Sequence, residues 1–404
     1  MLCNLGRARD LMARDGLDGL LASHRVNVYY LSDYWGALMR IDRDFSNFAV
    51  LPRREDAPAG LVVALSEMHG LVESPSWVPN VVAFGRDPEA GHLEAMPELY
   101  PTRAGEVLTE QEQAWNALVG AQQGKLCGMP IEAVKRIVVD AGLEKARIGT
   151  DDPRLANWLA SLGLADVEIV DATNLFREIR IVKTPREIEL LGAAARANAR
   201  ACDAATRAVT AGATVPEIEK VFNEEWARQG GAGIYILLGT AGGMRHRMVK
   251  KGDPFMVDAL GTYAHYHGDI GRTAIVGEPR AEFLKSYNAI HKGWEAARDS
   301  AKPGVDVREL TQLAVDVTHR EGFPQYHLAV AHSIGLEHTD NPAIYGNERP
   351  DGPFVLQENM VVSFDMPHHE FGWAHMHLED TLHITKDGCA LLADLDMEMM
   401  VLPT

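Results

Sequence analysis

The stretch that decides the fold, residues 254–273, reads PFMVDALGTYAHYHGDIGRT. Strand-forming residues flank a small-residue segment, which predicts a hairpin with its tip at 261–264. Asp258 and Asp269 are then directly opposite each other, because their midpoint lies at that tip. Opposed residues share one face of a sheet, with Cβ atoms about 4.5–5.5 Å apart. Two carboxylates at that distance repel each other unless a proton or a cation neutralises them.

A second stretch, residues 360–381, has the same organisation and reads MVVSFDMPHHEFGWAHMHLEDT. Its acids Asp365 and Glu379 have their midpoint at Gly372, and glycine suits the backbone conformation of a turn. A second opposed pair on one face is therefore predicted. Four buried acids in two matched pairs indicate a site for multivalent cations.

A histidine, His332, could complete such a site. A single Asp–Asp pair is more typical of solvated surface acids, and a lone histidine is more typical of a satisfied core residue. The joint pattern of two hairpins with a histidine between them favours a metal centre. Its charge of about −4 would be neutralised by two divalent ions, which can activate water for hydrolysis. The predicted ligands are Asp258, Asp269, His332, Asp365 and Glu379.

The chain divides into two halves of different character. Residues 1–175 alternate short helical and strand patterns, which predicts a small α/β domain. Residues 176–404 combine capped helix starts with two stretches rich in strand-forming residues. The helix starts are Thr184, Thr214 and Asp306, and the strand-rich stretches are 252–277 and 353–386. Helices that cover an antiparallel sheet make an α+β domain.

The composition excludes several classes of function. Among 404 residues, 57 acidic ones outnumber 39 basic ones, and the formal net charge is −18. Such a surface repels nucleic acids and anionic membranes, so neither is expected as a partner. Residues 1–7 lack the apolar core of a signal peptide. The four scattered cysteines are typical of free thiols in a reducing compartment, so a cytoplasmic location is expected. They are Cys3, Cys127, Cys202 and Cys389.

The ordered motifs resemble those of the creatinase/aminopeptidase P/prolidase family of pita-bread metalloenzymes. The motifs are NVYYL at 27–31, RIVK at 180–183, VD at 257–258, GDIGRT at 268–273, HSIGL at 332–336, NMVVSFDMP at 359–367 and LEDT at 378–381. The resemblance spans nearly the whole chain. It implies a smaller N-terminal α/β domain, a C-terminal pita-bread domain that binds metal, and a homodimer.

The resemblance also implies a role for each ligand. Asp258 would bind one metal ion, and Asp269 and Glu379 would bridge both ions. His332 and Asp365 would hold the second ion, and Asp365 would also take up the proton of the attacking water. The set of oxygen and imidazole ligands suits Mn, Fe, Co or Zn and does not choose among them.

Four departures from the family pattern bear on the substrate. The family usually has Glu at the position of Asp365. His338, the best match for a histidine that stabilises the oxyanion, lies one residue closer to the metal histidine, and Thr339 occupies the expected position. His246, the best match for a substrate-contacting histidine, lies closer than usual to the first ligand. His377 replaces an arginine that proline-specific members often have.

Several further histidines share a face with the predicted ligands, because side chains alternate along a strand with a period of two. They are His265 and His267 beside Asp269, His375 and His377 beside Glu379, and His369 opposite His375. Each of them either orients a carboxylate through its ring N–H or lines a substrate pocket. The candidates for a histidine-lined pocket are His377, His375, His369 and His267.

These patterns together predict a dinuclear-metal-dependent hydrolase that cleaves an amide or peptide bond, with Xaa-Pro peptides as the leading substrate class. Two alternatives stay open. One is a non-peptidase enzyme on the same fold, either a small-molecule amidohydrolase or a lyase, which the extra histidines favour. The other is an inactive binding module, which the complete set of five ligand-type residues disfavours.

Overall fold

The fold is described for most of the chain in a computed structural model, which covers residues 1–41, 45–85, 102–239, 249–252, 254–340 and 354–404. His246 lies outside these residues. The chain forms two compact units, Met1–Ile179 and Arg180–Thr404. In the described ranges, none of the helices combines the length and apolar character needed to cross a membrane.

The first unit is built on a mixed sheet, with strand order β4-β3-β2-β1-β5-β6 in the described residues. Its strands are β1 Gly19–Ala22, β2 Phe48–Pro52, β3 Gly60–Ala64, β4 Asn80–Phe84, β5 Arg147–Thr150 and β6 Glu168–Asp171. Its helices are α1 Leu5–Arg14, α2 Arg25–Ser32, α3 Ala37–Arg40, α4 Gly70–Glu73, α5 Glu110–Gly120, α6 Pro130–Asp140, α7 Leu155–Ser161 and α8 Thr173–Arg180. Apolar residues of α6, such as Ile137, pack with strand residues such as Val62 in one buried cluster. The α/β character predicted from the alternating patterns is confirmed.

The second unit combines four long helices with a sheet whose order, over the residues described, is β10-β11-β12-β9-β8-β7. Two short strands flank this path, β13 beside β12 and β14 beside β9. The helices are α9 Pro185–Arg207, α10 Val215–Arg228, α11 Ala281–Ser300 and α12 Val307–Arg320. The strands are β7 Ala232–Gly239, β8 Phe255–Tyr263, β9 Tyr266–Val276, β10 Val330–Ser333, β11 Val361–Glu370, β12 Ala374–Ile384, β13 Cys389–Leu391 and β14 Met400–Leu402. Every pairing along the main path is antiparallel, so the predicted α+β class is confirmed.

Alternation along the strands separates the core from the opposite face of the sheet. On β11 and β12 the even-numbered residues, including Phe364, Met366 and Leu378, pack with apolar side chains of α11 and α12 such as Trp294. On β8 and β9, residues such as Val257 and Ile270 pack in the cluster that contains Trp226 of α10. Residues between these positions point the other way. The predicted acids lie at those positions.

The register of the β11–β12 hairpin is as predicted. Asp365 is paired directly with Glu379, and His369 with His375. The connection at 371–373 contains Gly372, whose φ is 76°. Glycine adopts this left-handed conformation at little cost, and it is the midpoint that the two acids indicated.

The predicted register of the β8–β9 hairpin is wrong. Asp258 is paired with Gly271, and Asp269 with Leu260, so the two acids are diagonal neighbours and not directly opposed. The turn consists of Ala264 and His265, which both have positive φ, 46° and 70°. A two-residue turn with this geometry matches the right-handed twist of the strands. Neither residue is a glycine, so the sequence does not indicate the turn. The register offset is two residues, so both acids still share one face.

The cap of α9 contains a buried acid. Thr184 Oγ1 accepts a hydrogen bond from the backbone N–H of Glu187, and Glu187 Oε2 accepts one from the N–H of Thr184, at 3.2 and 2.9 Å. The hydroxyl of Tyr266 donates to Glu187 Oε1 at 3.2 Å. Burial raises the pKa of Glu187 to about 7, against the opposing charge of Lys183.

This shift makes the stability of the second unit depend on pH. A carboxyl pKa that is higher in the folded state means that the folded protein binds more protons between about pH 4.5 and pH 7. The free energy of unfolding should therefore fall across this window, by up to about 3 kcal/mol from Glu187 alone, and level off above it. Urea unfolding from pH 4.5 to 8 measures it: the difference between Glu187→Gln and wild type should change with pH. The exposed Glu189→Gln variant on the same helix is the matched control.

Candidate metal centre

Five strands of the second unit each contribute one predicted ligand to the same region of the sheet. Asp258 lies on β8, Asp269 on β9, His332 on β10, Asp365 on β11 and Glu379 on β12. Because β9 is hydrogen-bonded to β12, with Glu379 paired to Gly271, the two hairpins become neighbours in one sheet. This pairing brings together residues that are about a hundred positions apart in the chain.

The imidazole of His332 lies among three of these carboxylates. Its Nε2 atom is 3.4 Å from Asp365 Oδ2, 3.7 Å from Asp269 Oδ2 and 3.9 Å from Glu379 Oε1. Three groups of side chains offer ligand atoms that all lie within 4.8 Å of one another. The groups are Asp269–His332–His338, Asp258–His377–Glu379 and His332–Asp365–Glu379. Two of the groups share Glu379 and two share His332, so together they form one continuous cluster.

The carboxyl pKa values of Asp258 and Glu379 reflect the negative charge that is concentrated in the cluster. Burial raises the pKa of Asp258 to about 6, and the carboxylates of Asp269 and Asp365 add to the shift, although His377 opposes it. Burial, followed by the charges of Asp269 and Asp365, raises the pKa of Glu379 well above its usual range. The carboxyl groups of Asp258 and Glu379 therefore resist ionisation unless cations neutralise the charge around them.

The imidazoles of His332 and His377 have the opposite effect on a carboxyl pKa, because they lower that of Asp365. Burial raises the pKa of Asp365, but the adjacent rings of His332 and His377 outweigh it and hold that pKa below its usual range. Burial lowers the pKa of His332, while the carboxylates of Asp365 and Asp269 raise it more strongly, to about 9. The cluster thus attracts positive charge. Its imidazole and carboxylate donors fit a divalent transition-metal ion.

His338 joins the cluster from the loop after β10. Its Nε2 donates a hydrogen bond to Asp269 Oδ2 at 2.9 Å, and its side chain is 41% exposed. It therefore reaches the same carboxylate as His332 while remaining open to solvent. Thr339 contacts the other ring nitrogen of His338, with Oγ1 at 3.4 Å from Nδ1.

The remaining histidines lie in different environments. His377 is buried against the carboxylates, with Nε2 at 3.4 Å from Asp365 Oδ1. His369 and His375 contact each other, with their Nδ1 atoms 3.3 Å apart. His267 Nδ1 lies 3.0 Å from the carbonyl oxygen of Gly335. His265 is part of the β8–β9 turn and not of the strand.

Several residues that support the cluster were not predicted from the sequence. Ser363 Oγ donates to Glu379 Oε1 at 2.6 Å, and Thr381 Oγ1 donates to the backbone carbonyl of Asp269 at 3.2 Å. Ser363 could have been found, because it lies two positions before Asp365 and so shares its face. The partner of Ser363 was not evident, since it depends on the pairing of β11 with β12.

Both halves of the chain are similar to known proteins. Residues 189–386 match metallopeptidase family M24, and residues 5–182 match the creatinase/prolidase N-terminal domain. An Xaa-Pro dipeptidase of Pyrococcus horikoshii is 26% identical over 243 residues, which cover 58% of this chain and 68% of that protein. The ectoine hydrolase of Halomonas elongata is 24% identical over 260 residues, which cover 59% of this chain and 64% of that protein.

Among solved structures, an X-Pro aminopeptidase of Thermotoga maritima superposes with a TM-score of 0.73 at 19% identity, covering 97% of this chain and 100% of that one. This likeness concerns the fold alone. It confirms the predicted architecture, a smaller N-terminal α/β domain and a C-terminal pita-bread domain.

Proposed function

Since the chain belongs to the creatinase/aminopeptidase P/prolidase family of metalloenzymes, we propose that it is a metal-dependent hydrolase that cleaves Xaa-Pro peptide bonds in small peptides. The observation that carries the proposal is the cluster of four carboxylates and three imidazoles, in which three groups of three residues each have ligand atoms within 4.8 Å of one another. Such a cluster is costly to hold together unless cations neutralise it.

The cluster contains all five predicted metal ligands. The resemblance implies that Asp258 would hold one divalent ion, that Asp269 and Glu379 would contact both ions, and that His332 and Asp365 would hold the second. When bound, a pair of such ions activates water and polarises the carbonyl group of an amide bond. The metal is Mn, Fe, Co or Zn, since carboxylate and imidazole donors suit all four.

Two side chains at the open side of the cluster have the accessibility that proton transfer and substrate binding require. The Asp365 side chain is 15% exposed, whereas those of Asp269 and Glu379 are 2% exposed, which agrees with the role that the resemblance implies for Asp365, uptake of the proton of the attacking water. His338 is more exposed still, and the resemblance implies that it would stabilise the oxyanion of the substrate. His246 remains a candidate for substrate contact on the ground of the resemblance alone.

Hydrolysis of a small non-peptide amide is the second candidate function. The observation that favours it is a buried imidazole at His377, where proline-specific members of the family often have arginine. The likeness to an ectoine hydrolase agrees with this alternative. A site without that arginine lacks one positively charged side chain that could bind the carboxylate of a peptide.

A substrate panel distinguishes the two functions. The purified protein, stripped with chelator and reloaded separately with Mn²⁺, Co²⁺ or Zn²⁺, is assayed on Xaa-Pro dipeptides, on dipeptides with the same first residue followed by Ala, on longer Xaa-Pro peptides and on small cyclic and linear amides. We expect the highest kcat/KM on an Xaa-Pro substrate and no turnover in the stripped protein. Turnover of small amides without turnover of any peptide would contradict the peptidase and support the second candidate.

Two further points of the proposal rest on the sequence and the resemblance. We infer a cytoplasmic location from the four scattered cysteines, which are free thiols. We infer a homodimer because the family commonly forms one. Light scattering of the purified protein, with a mass near 44.3 kDa for a monomer, measures the oligomeric state.

A further inference from the structure

The imidazole of His377 is buried without the hydrogen bonds that a buried ring needs. The residue is 4% exposed, and within the described part of the chain neither Nδ1 nor Nε2 has a hydrogen-bond partner. Leaving a buried polar atom unsatisfied costs about 1–3 kcal/mol, so native proteins rarely do so without a reason. The position of the ring therefore indicates a partner that the neighbouring side chains do not themselves provide.

The ring faces the metal cluster. His377 Nε2 lies 3.4 Å from Asp365 Oδ1 and 3.5 Å from Glu379 Oε2. A ligand atom of His377 also lies within 4.8 Å of one on Asp258 and one on Glu379. Two ligand atoms that each bind one ion at about 2.1 Å are separated by about 3.0–3.4 Å, depending on the coordination geometry. The observed separations are close to those of ligands that share an ion.

The surroundings of His377 hold the ring in this position. Its backbone N–H donates to Thr273 Oγ1 at 2.8 Å, and Thr273 Oγ1 donates to the carbonyl oxygen of His377 at 3.0 Å. The ring lies directly over Gly271, where a Cβ atom would be 2.6 Å from His377 Nδ1 and Cε1. No real Cβ contact is that short, so the space occupied by the imidazole exists because residue 271 is glycine.

We propose that His377 Nε2 is a direct ligand of the metal ion held by Asp258 and Glu379, and that the ring does not line the substrate pocket. The inference rests on the proposed metal-dependent function. Each of the two metal positions then has one imidazole, His377 on one ion and His332 on the other. A mixed imidazole–carboxylate set at both positions favours Zn, Co or Fe over Mg or Ca.

Cobalt binding tests the proposal in the full-length protein. Wild type and His377→Gln are stripped and titrated with Co²⁺ in competition with a chromophoric chelator, and the loaded proteins are examined in H₂O for shifted, solvent-exchangeable imidazole N–H resonances. We expect His377→Gln to bind one of two ions at least about 100-fold more weakly, since even outer-sphere partners of a ligand affect affinity about 10–100-fold. Its spectrum should contain one imidazole resonance fewer.

Two variants complete the design. His383→Gln is the matched control, because His383 lies on the same strand and contacts Asn359, with Nε2 at 3.3 Å from Oδ1; it should bind both ions as wild type does. Gly271→Ala keeps His377 but places a methyl group where the ring lies, so it should weaken the same ion. If His377→Gln does not fold, Gly271→Ala decides the question.

The outcomes separate the two levels of inference. If His377→Gln or, failing that, Gly271→Ala binds two ions with wild-type affinity and an unchanged set of resonances, His377 is not a ligand, and the metal-dependent function stands. If the ring is an imidazolium that only balances charge, His377→Gln should bind both ions at least as tightly as wild type, because a protonated ring cannot coordinate and its charge repels cations. If wild type binds none of Co²⁺, Zn²⁺ and Mn²⁺, both the ligand assignment and the proposed function are overturned.

Discussion

Replacement of Asp269 by Asn should lower kcat/KM on the best Xaa-Pro substrate by at least about 10³-fold, since metal ions contribute several kcal/mol to transition-state stabilisation. The Asp269 carboxylate is 2% exposed and lies 2.9 Å from His338 Nε2 and 3.7 Å from His332 Nε2. Asparagine keeps the volume and one oxygen but loses the charge that two ions would share. Steady-state kinetics with metal analysis of the same preparation measures the effect.

The same variant has an opposite effect on the metal-free protein. Removal of one of four mutually repelling carboxylates should leave the melting temperature of the stripped protein unchanged or raise it, while the stabilisation by added metal becomes smaller. Asp316→Asn, on the exposed side of α12, is the control and should leave kinetics and metal content unchanged. An Asp269→Asn protein that retained two tightly bound ions and full activity would contradict the assignment of a shared ligand.

Replacement of Asp340 by Asn should lower the free energy of unfolding by about 3–5 kcal/mol, because loss of one partner leaves buried charges uncompensated. Asp340 is 1% exposed. Its Oδ1 atom accepts from Arg180 Nη2 at 2.6 Å and from Nε at 2.9 Å, and its Oδ2 accepts from Lys183 Nζ at 3.2 Å. Two buried cations thus share this carboxylate, and Arg180 has a second, less buried partner in Glu337. Urea denaturation at pH 7.5, monitored by tryptophan fluorescence, measures the loss.

A surface ion pair on the neighbouring helix gives the comparison. Arg186 Nη1 and Glu189 Oε2 are 2.6 Å apart, which is as short as the buried contact, but the side chains are 51% and 68% exposed. Glu189→Gln should therefore cost less than about 1 kcal/mol, since solvent screens exposed pairs. If both variants lost the same stability, burial would not be what makes the Asp340 contacts important.

Much of the site followed from local pattern. The β11–β12 hairpin could be centred correctly because Gly372 marks its turn, and the period of two then put Asp365 and Glu379 on one face. The predicted register of the β8–β9 hairpin is wrong because its turn consists of Ala264 and His265 in the left-handed region. Neither residue type indicates that conformation in a sequence. The side-chain faces were unaffected, since the register error was an even number of residues.

The sequence by itself determined which side chains point to the metal-binding face, because alternation along a strand is a local property of the backbone. It could not determine which strands are neighbours. The contact of β9 with β12 brings His377 over Gly271 and adds Asp258 of the other hairpin to the acids around its ring. The sequence therefore left two roles open for His377, a ring that orients a carboxylate and a residue that lines the substrate pocket. Only the tertiary structure showed a buried ring facing carboxylates, because burial and partner distance depend on packing between segments far apart in the chain.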